Sequence, residues 1–141
     1  MLRSILSAGF AVALLLAFTS NAGAVTATNT PPNAKNVPYV IGFHPLNSSA
    51  HPYIGQLHLN FNDGVLSGTY TDLSVKPGSP FANATNITVS GNYSGSHVTL
   101  IIRQITFRGS FSSPSRMSGS ATIRGSIYTF EAHHGSPGSG K

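Results

Sequence analysis

A short pattern recurs along this chain and constrains its fold more than any other feature: an apolar residue, any residue, glycine, any residue, and an aromatic ring. It is clearest at 66–70, returns at 89–93 and 107–111, and recurs at 117–121 with alanine in place of the ring. Side chains two residues apart point to the same face of a β-strand. A glycine on the inward face leaves room for a neighbouring ring or lets a strongly curved sheet bend. The pattern therefore predicts curved strands.

The first repeat belongs to a hairpin. Apolar and polar residues alternate in 57–61 and again in 66–70, which is typical of two strands with one buried face. Asn62, Asp63 and Gly64 lie between them, and these residue types tolerate positive φ and favour a tight reversal.

Similar alternation continues to residue 132, and no helical periodicity follows the N-terminal segment. The sequence predicts an all-β chain, an antiparallel meander of seven to eight strands that forms a small closed or nearly closed β-barrel. A Greek-key β-sandwich is the alternative. Gln104 is interpreted as a bulge, because the inward parity changes from even to odd numbers after it.

The N-terminal segment has the features of a signal peptide. Arg3 precedes an apolar run at 5–18, and Ala22-Gly23-Ala24 matches the small-residue site that signal peptidase accepts. The run is shorter than the roughly 20 apolar residues that cross a bilayer. We therefore predict no transmembrane anchor, cleavage near Ala24, and a secreted or periplasmic protein.

The rest of the chain is predicted to hold one domain. Residues 25–37 are rich in Thr, Asn and Pro and are predicted to be a disordered leader, residues 38–132 the single β-barrel domain, and residues 133–141 a disordered tail. The chain has no cysteine, so it forms no disulfides and has no thiol nucleophile or thiolate metal site.

Catalytic signals are weak. The chain has three carboxylate residues, Asp63, Asp72 and Glu131, and no Gly-x-Ser-x-Gly motif. Asp63 lies in the predicted turn, and Glu131 has outward parity and is expected to pair with an arginine on a neighbouring strand. The sequence therefore predicts a protein that is not an enzyme and requires no cofactor.

Positive charge exceeds negative charge, with 8 Lys and Arg against 3 Asp and Glu. Arg103, Arg108 and Arg124 share outward parity and are candidates for binding an anionic ligand. The alternative is that they are solvated and oppose aggregation at sheet edges. No block of consecutive basic residues occurs, so no specific nucleic-acid partner is predicted.

Three histidines are candidates for a metal site, although the sequence signal for one is weak. His44 and His51 each precede a proline, His58 follows at the same spacing of seven residues, and His133-His134 ends the predicted last strand. Imidazoles from a loop and from strand ends could meet at one barrel mouth and bind zinc or copper. The alternative is that they are ordinary solvent-exposed histidines.

Asp63–Tyr70 resembles the hairpin between the second and third strands of the avidin and streptavidin family, and Val89–Tyr93 resembles that family's next strand. The resemblance implies a small β-barrel. That family holds biotin with several tryptophans, and this chain has none. The resemblance therefore implies the fold and not a biotin site.

These observations favour an exported, non-enzymatic barrel that binds an unknown small molecule or glycan at one mouth. Candidate lining residues are Tyr53, Tyr70, Tyr93 and Tyr128, because rings beside glycines can leave a partly apolar cavity. The alternative is that these rings fill the core. A structural or surface-associated protein that self-assembles into a homo-oligomer is the second hypothesis, suggested by Ile101 on the outward face. A histidine-based metal protein or enzyme is the third.

Overall fold

The computed structural model describes residues 29, 31–75 and 77–137. The predicted signal peptide, most of the residues at 25–30 and the last four residues lie outside the described residues. The strands are β1 (Ala34–Pro45), β2 (Tyr53–Asn62), β3 (Val65–Asp72), β4 (Ile87–Ser94), β5 (His97–Ile102), β6 (Ile105–Ser113), β7 (Arg116–Ile123) and β8 (Ser126–His134).

The eight strands form a closed antiparallel barrel in sequence order. Each strand pairs with the next, and β1 pairs with β8 from Tyr39 opposite His134 to Pro45 opposite Tyr128, which closes the sheet. The predicted all-β meander and its closed barrel are therefore confirmed, and the sandwich alternative is wrong. Within the described residues, no helix is long and apolar enough to cross a membrane.

The barrel has two different ends. The loop end carries the β1–β2 loop at 46–52, the β3–β4 loop described at 73–75 and 77–86, and the turns at 103–104 and 124–125. The turn end carries the turns at 63–64, 95–96 and 114–115, together with the start of β1 and the end of β8. Successive strands of an antiparallel meander run in opposite directions, so successive connections lie at opposite ends of the barrel.

Apolar side chains fill the interior of the barrel. Tyr39 crosses the core near the turn end and donates a hydrogen bond from its hydroxyl to the Pro114 carbonyl oxygen, 2.8 Å away. Burial raises the pKa of this phenol to about 12, because the charged form would lose its hydration. The largest fully buried rings are Tyr39, Phe43, Phe61, Tyr70, Phe81, Phe107 and Phe111.

The repeated glycines allow the sheet to bend. A Cβ at Gly68, Gly91, Gly109 or Gly119 would overlap a backbone carbonyl oxygen of the adjacent strand. These are the central glycines of the four sequence repeats, and their place between inward residues is the predicted one. Glycine is needed at these positions because the neighbouring strand comes closer there than any side chain would permit.

The strand boundaries differ from the sequence prediction in three places. β1 begins at Ala34, inside the segment predicted to be a leader, and β8 continues to His134, inside the predicted tail. The predicted bulge at Gln104 is wrong. Arg103 and Gln104 instead form a two-residue turn at φ values of 48° and 68°, which is the geometry of a hairpin turn.

Candidate functional site

Three of the four candidate tyrosines lie at the same mouth. Tyr53, Tyr70 and Tyr128 are at the loop end, where Tyr53 and Tyr128 pack on Phe43 with ring centroids 5.7 and 6.2 Å away. Tyr93 lies at the turn end, where its hydroxyl donates a hydrogen bond to Asn33 Oδ1 at 3.3 Å. The structure therefore brings together three of these residues and separates the fourth.

Phe81 covers the tyrosine mouth. The β3–β4 loop carries this side chain into the barrel, where its ring lies 5.1 Å from Tyr70, 5.6 Å from Phe43 and 6.1 Å from Phe107. Phe81 is fully buried, and Tyr70 beneath it is 1% exposed. In this arrangement the tyrosines pack within and around a closed aromatic cluster.

Asp72 anchors the same loop. Its Oδ1 accepts hydrogen bonds from the hydroxyls of Tyr70, Ser74 and Ser79 at 3.2, 3.2 and 3.0 Å. Burial, and then the negative charge and hydrogen bond of Asp72, raise the pKa of Tyr70 well above its ordinary value. A carboxylate that accepts three hydroxyl donors holds the loop in place and leaves Asp72 engaged in structure.

The three candidate arginines lie in two different settings. Arg108 is exposed on the outer wall midway along β6, opposite Thr99 and Ser120. Arg103 and Arg124 are exposed at the tips of two turns at the loop end. Arg103 and Arg124 therefore lie at one end of the barrel, whereas Arg108 lies on its side wall.

The three candidate histidines are not brought together into a metal-binding cluster. His44 and His58 lie on the outer faces of β1 and β2, and His51 lies in the loop between them. His44 Nδ1 lies 3.0 Å from the Pro45 carbonyl oxygen. In the described part of the chain, no three His, Cys, Asp or Glu side chains are grouped so that they could hold a metal ion.

An open depression lies on the outer wall of the barrel and is called here the Gly42 groove. It spans β7, β8, β1 and β2, and its volume is about 610 Å³. Gly42 is opposite Glu131 on one side and Ile54 on the other. The apolar side of the groove consists of Val40, Pro52 and Ile54, and the polar side of Ser118, Thr129, Glu131 and His133.

Gly42 differs from the other glycines of the strands. Gly68, Gly91, Gly109 and Gly119 would each bring a Cβ into backbone, and Gly55 would bring one into the Tyr70 ring. A Cβ at Gly42 would instead meet Ile54 Cδ1 at 3.4 Å and Pro52 Cβ at 3.5 Å, which are ordinary contacts. Neither positive φ nor packing requires glycine at this position, yet its lack of a side chain keeps the groove open.

The groove is lined by one carboxylate, Glu131, and by two imidazoles, His133 on β8 and His44 on β1. Glu131 Oε1 lies 3.6 Å from His133 Nε2 on the same strand, and their side chains are 69% and 46% exposed. The expected pairing of Glu131 with an arginine on a neighbouring strand is wrong, because Ser118 and Gly42 are its neighbours across the sheet. An exposed carboxylate beside hydroxyls can accept hydrogen bonds from a ligand.

A second depression, of about 640 Å³, lies at the turn end. Its amide groups already bind one another or nearby groups: Asn33 Nδ2 donates to Asp63 Oδ1 at 2.9 Å, and Asn60 Oδ1 accepts from the Asn36 backbone at 2.8 Å. These groups are engaged in structure, so the Gly42 groove is the stronger candidate site.

Comparison with known proteins gives no family assignment. No protein-family model, curated protein or solved structure matches this chain. The resemblance of one hairpin to the avidin and streptavidin family therefore stays a prediction, and the site is interpreted from its own geometry.

Sequence reasoning missed the Gly42 groove because it searched for charged and aromatic residues. The available signal was a glycine with outward parity in the apolar stretch 39–43. Inward glycines relieve curvature, but an outward glycine has no such explanation. Glu131 and His133 share outward parity on β8, which the alternation of that strand also predicts.

Proposed function

We propose that the protein is an exported, non-enzymatic β-barrel that binds a small ligand in the Gly42 groove. The observation that carries this proposal is the outward glycine itself. Glycine weakens a strand and leaves no side chain to pack, and it often marks a place where a ligand or another backbone approaches closely. Gly42 has space for a Cβ and no positive φ, and the open groove is the remaining role for it.

The lining of the groove defines the chemistry of the ligand. Val40, Pro52 and Ile54 present an apolar surface on one side, and Thr129 and Glu131 present oxygen acceptors on the other. A ligand that fits has one apolar face and hydroxyl or amine groups along one edge, as sugars and small amines do. The exposure of Glu131 and His133 favours reversible binding over chemistry that needs a dry, enclosed site.

The tyrosine mouth is a second candidate site. Phe81 packs on Tyr70 and Phe43, and Tyr53 and Tyr128 pack on Phe43, so displacement of the β3–β4 loop would expose an aromatic cavity. Aromatic cavities with a few polar groups are a common form of small-molecule site. This candidate requires the Asp72 hydrogen bonds to open first, whereas the Gly42 groove is open already.

A thermal-shift screen tests the proposal. The protein of residues 25–141 keeps every described strand, and it would be screened against monosaccharides, sugar alcohols, alkyl amines and short peptides. A ligand that binds only the folded state raises the melting temperature by mass action. We expect a shift with one of these classes.

Substitution of Gly42 locates the binding site. Gly42→Val fills the groove and should abolish the shift, while Thr88→Val, on the exposed face of β4, should preserve it. A shift that survives Gly42→Val but disappears after a change at Tyr53 or Tyr128 would favour the tyrosine mouth. A screen with no shift in any class would overturn the ligand-binding proposal.

A further inference from the structure

The exposed large hydrophobic side chains are concentrated at one end of the barrel. The described residues include six of them: Leu46, Val65, Leu73, Val75, Ile101 and Ile127. Val65 is at the turn end, and the other five are at or beside the loop end. Single exposed apolar residues are normal on protein surfaces, but grouping at one end indicates a contact surface.

Two parts of this surface are well defined. Val75, in the β3–β4 loop, is fully exposed, with a relative exposure of 101%. Leu46 and Ile127 are joined by a hydrogen bond from the Leu46 backbone nitrogen to the Ile127 carbonyl oxygen, 2.8 Å long, so their exposed side chains are neighbours. None of these three belongs to the buried core cluster.

The loop end is also basic. Arg103 and Arg124 extend from its two tight turns and are exposed, and within the described residues neither forms an ion pair. The described carboxylates lie elsewhere or are engaged: Asp63 is at the turn end, Glu131 is on the outer wall, and Asp72 accepts three hydroxyl hydrogen bonds. The two arginines therefore share the loop end with the exposed apolar side chains, and neither is neutralised by an ion pair within the described residues.

We propose that the loop end binds an anionic lipid surface, an interaction that goes beyond ligand binding in the Gly42 groove. Val75, Leu46 and Ile127 would enter the boundary between headgroups and acyl chains, and Arg103 and Arg124 would contact lipid phosphates. Apolar insertion and electrostatic attraction to anionic lipids add together in interfacial binding. A second copy of this chain fits less well, because joining two loop ends would bring four arginines together.

Vesicle co-sedimentation tests this proposal with the protein of residues 25–141, which lacks the apolar signal segment that would itself bind lipid. We expect binding to vesicles of phosphatidylcholine and phosphatidylglycerol, and much weaker binding to phosphatidylcholine alone. The double variant Arg103→Gln with Arg124→Gln should weaken binding roughly tenfold or more, and Val75→Asp should also weaken it. Val65→Asp and Arg116→Gln, both at the turn end, are the matched controls and should bind as the unchanged protein does.

A fluorescence measurement gives an independent readout, because the chain has no tryptophan. The emission of Val75→Trp should move to shorter wavelength when anionic vesicles are added, and the emission of Val65→Trp should not. No binding to anionic vesicles, or binding reduced only by the turn-end variants, would overturn the proposal. Concentration-dependent association in solution that Val75→Asp abolishes would overturn it in favour of a second copy.

Discussion

The phenol ring of Tyr70 occupies the space that a side chain at Gly55 would fill. The ring cannot move away easily, because Phe81 packs on it and its hydroxyl donates to Asp72. Gly55 therefore serves the other role predicted for inward glycines, making room for a ring, while the four repeated glycines allow the sheet to bend.

Gly55→Ala should destabilise the barrel by about 1–3 kcal/mol, the usual cost of overpacking a core. Urea denaturation followed by circular dichroism measures this change. In a Tyr70→Ala background the same substitution should cost much less, because the clashing ring is absent. Equal costs in the two backgrounds would show that the two residues are not coupled.

Gly42→Ala should have the opposite effect on stability. Alanine fits there without strain, so the substitution should stabilise the protein by about 0.4–1 kcal/mol through the lower entropy of the unfolded chain. Gly109→Ala is the matched control, since its Cβ would overlap the Ser118 carbonyl oxygen, and it should be strongly destabilising. If Gly42→Ala proved as damaging as Gly109→Ala, a structural role would explain Gly42.

Phe81→Ala should cost about 3–5 kcal/mol, because it removes a fully buried ring and leaves a cavity. Leu73→Ala, a partly exposed position in the same loop, should change stability far less. The cavity should be dry and lined by rings, so benzene should raise the melting temperature of Phe81→Ala and not that of the unchanged protein. If benzene had no effect on Phe81→Ala, the loop must collapse into the mouth.

Alkaline pH should destabilise the barrel through its buried phenols. Burial raises the pKa of Tyr39 from the ordinary value of 10.0 for an exposed phenol to about 12 in the folded protein. Below pH 10 Tyr39 keeps its proton in both the folded and the unfolded state, so its contribution to the free energy of unfolding is fully present. Between pH 10 and 12 the unfolded state releases the proton first, so stability falls by up to about 1.4 kcal/mol per pH unit.

Tyr39→Phe tests this dependence. It should be about 1 kcal/mol less stable at neutral pH, because the hydrogen bond to Pro114 is lost. Its stability should then fall less steeply above pH 10 than that of the unchanged protein. Denaturant titrations at several pH values measure both effects, and an unchanged alkaline slope would show that Tyr39 does not cause the loss.

The alternation of apolar and polar residues was enough to predict the barrel, because one buried face per strand leaves a period of two in the sequence. The same rule failed at Arg103 and Gln104, where a hairpin turn is built from residue types that rarely adopt positive φ. β1 was predicted too short because Pro38 and Asn36 resemble loop residues. In the barrel, Pro38 still pairs with His58. The register of β1 with β2 shifts between Ala34 and Val37, and Asn36 adopts a positive φ of 56° at that shift.

The candidate site was less predictable than the fold. Parity placed the four tyrosines inward, but it could not show which mouth each would reach or that Phe81 would pack on Tyr70, Phe43 and Phe107. That contact joins a loop to strands far apart in the sequence, and local patterns carry no information about it. The Gly42 groove likewise depends on β1, β2 and β8 lying side by side, which follows only from closure of the sheet.

A fragment screen observed through backbone amide resonances tests whether small ligands bind in the Gly42 groove. Small sugars, polyols and amines would be added to the isotope-labelled protein of residues 25–141. Fragments bound in the groove should shift the amide resonances of Gly42, Thr129 and Glu131 and leave those of Tyr70 and Phe81 unchanged. Fragments that shift the Tyr70 and Phe81 amides instead, or that bind nowhere near Gly42, would contradict the proposal that the groove is the binding site.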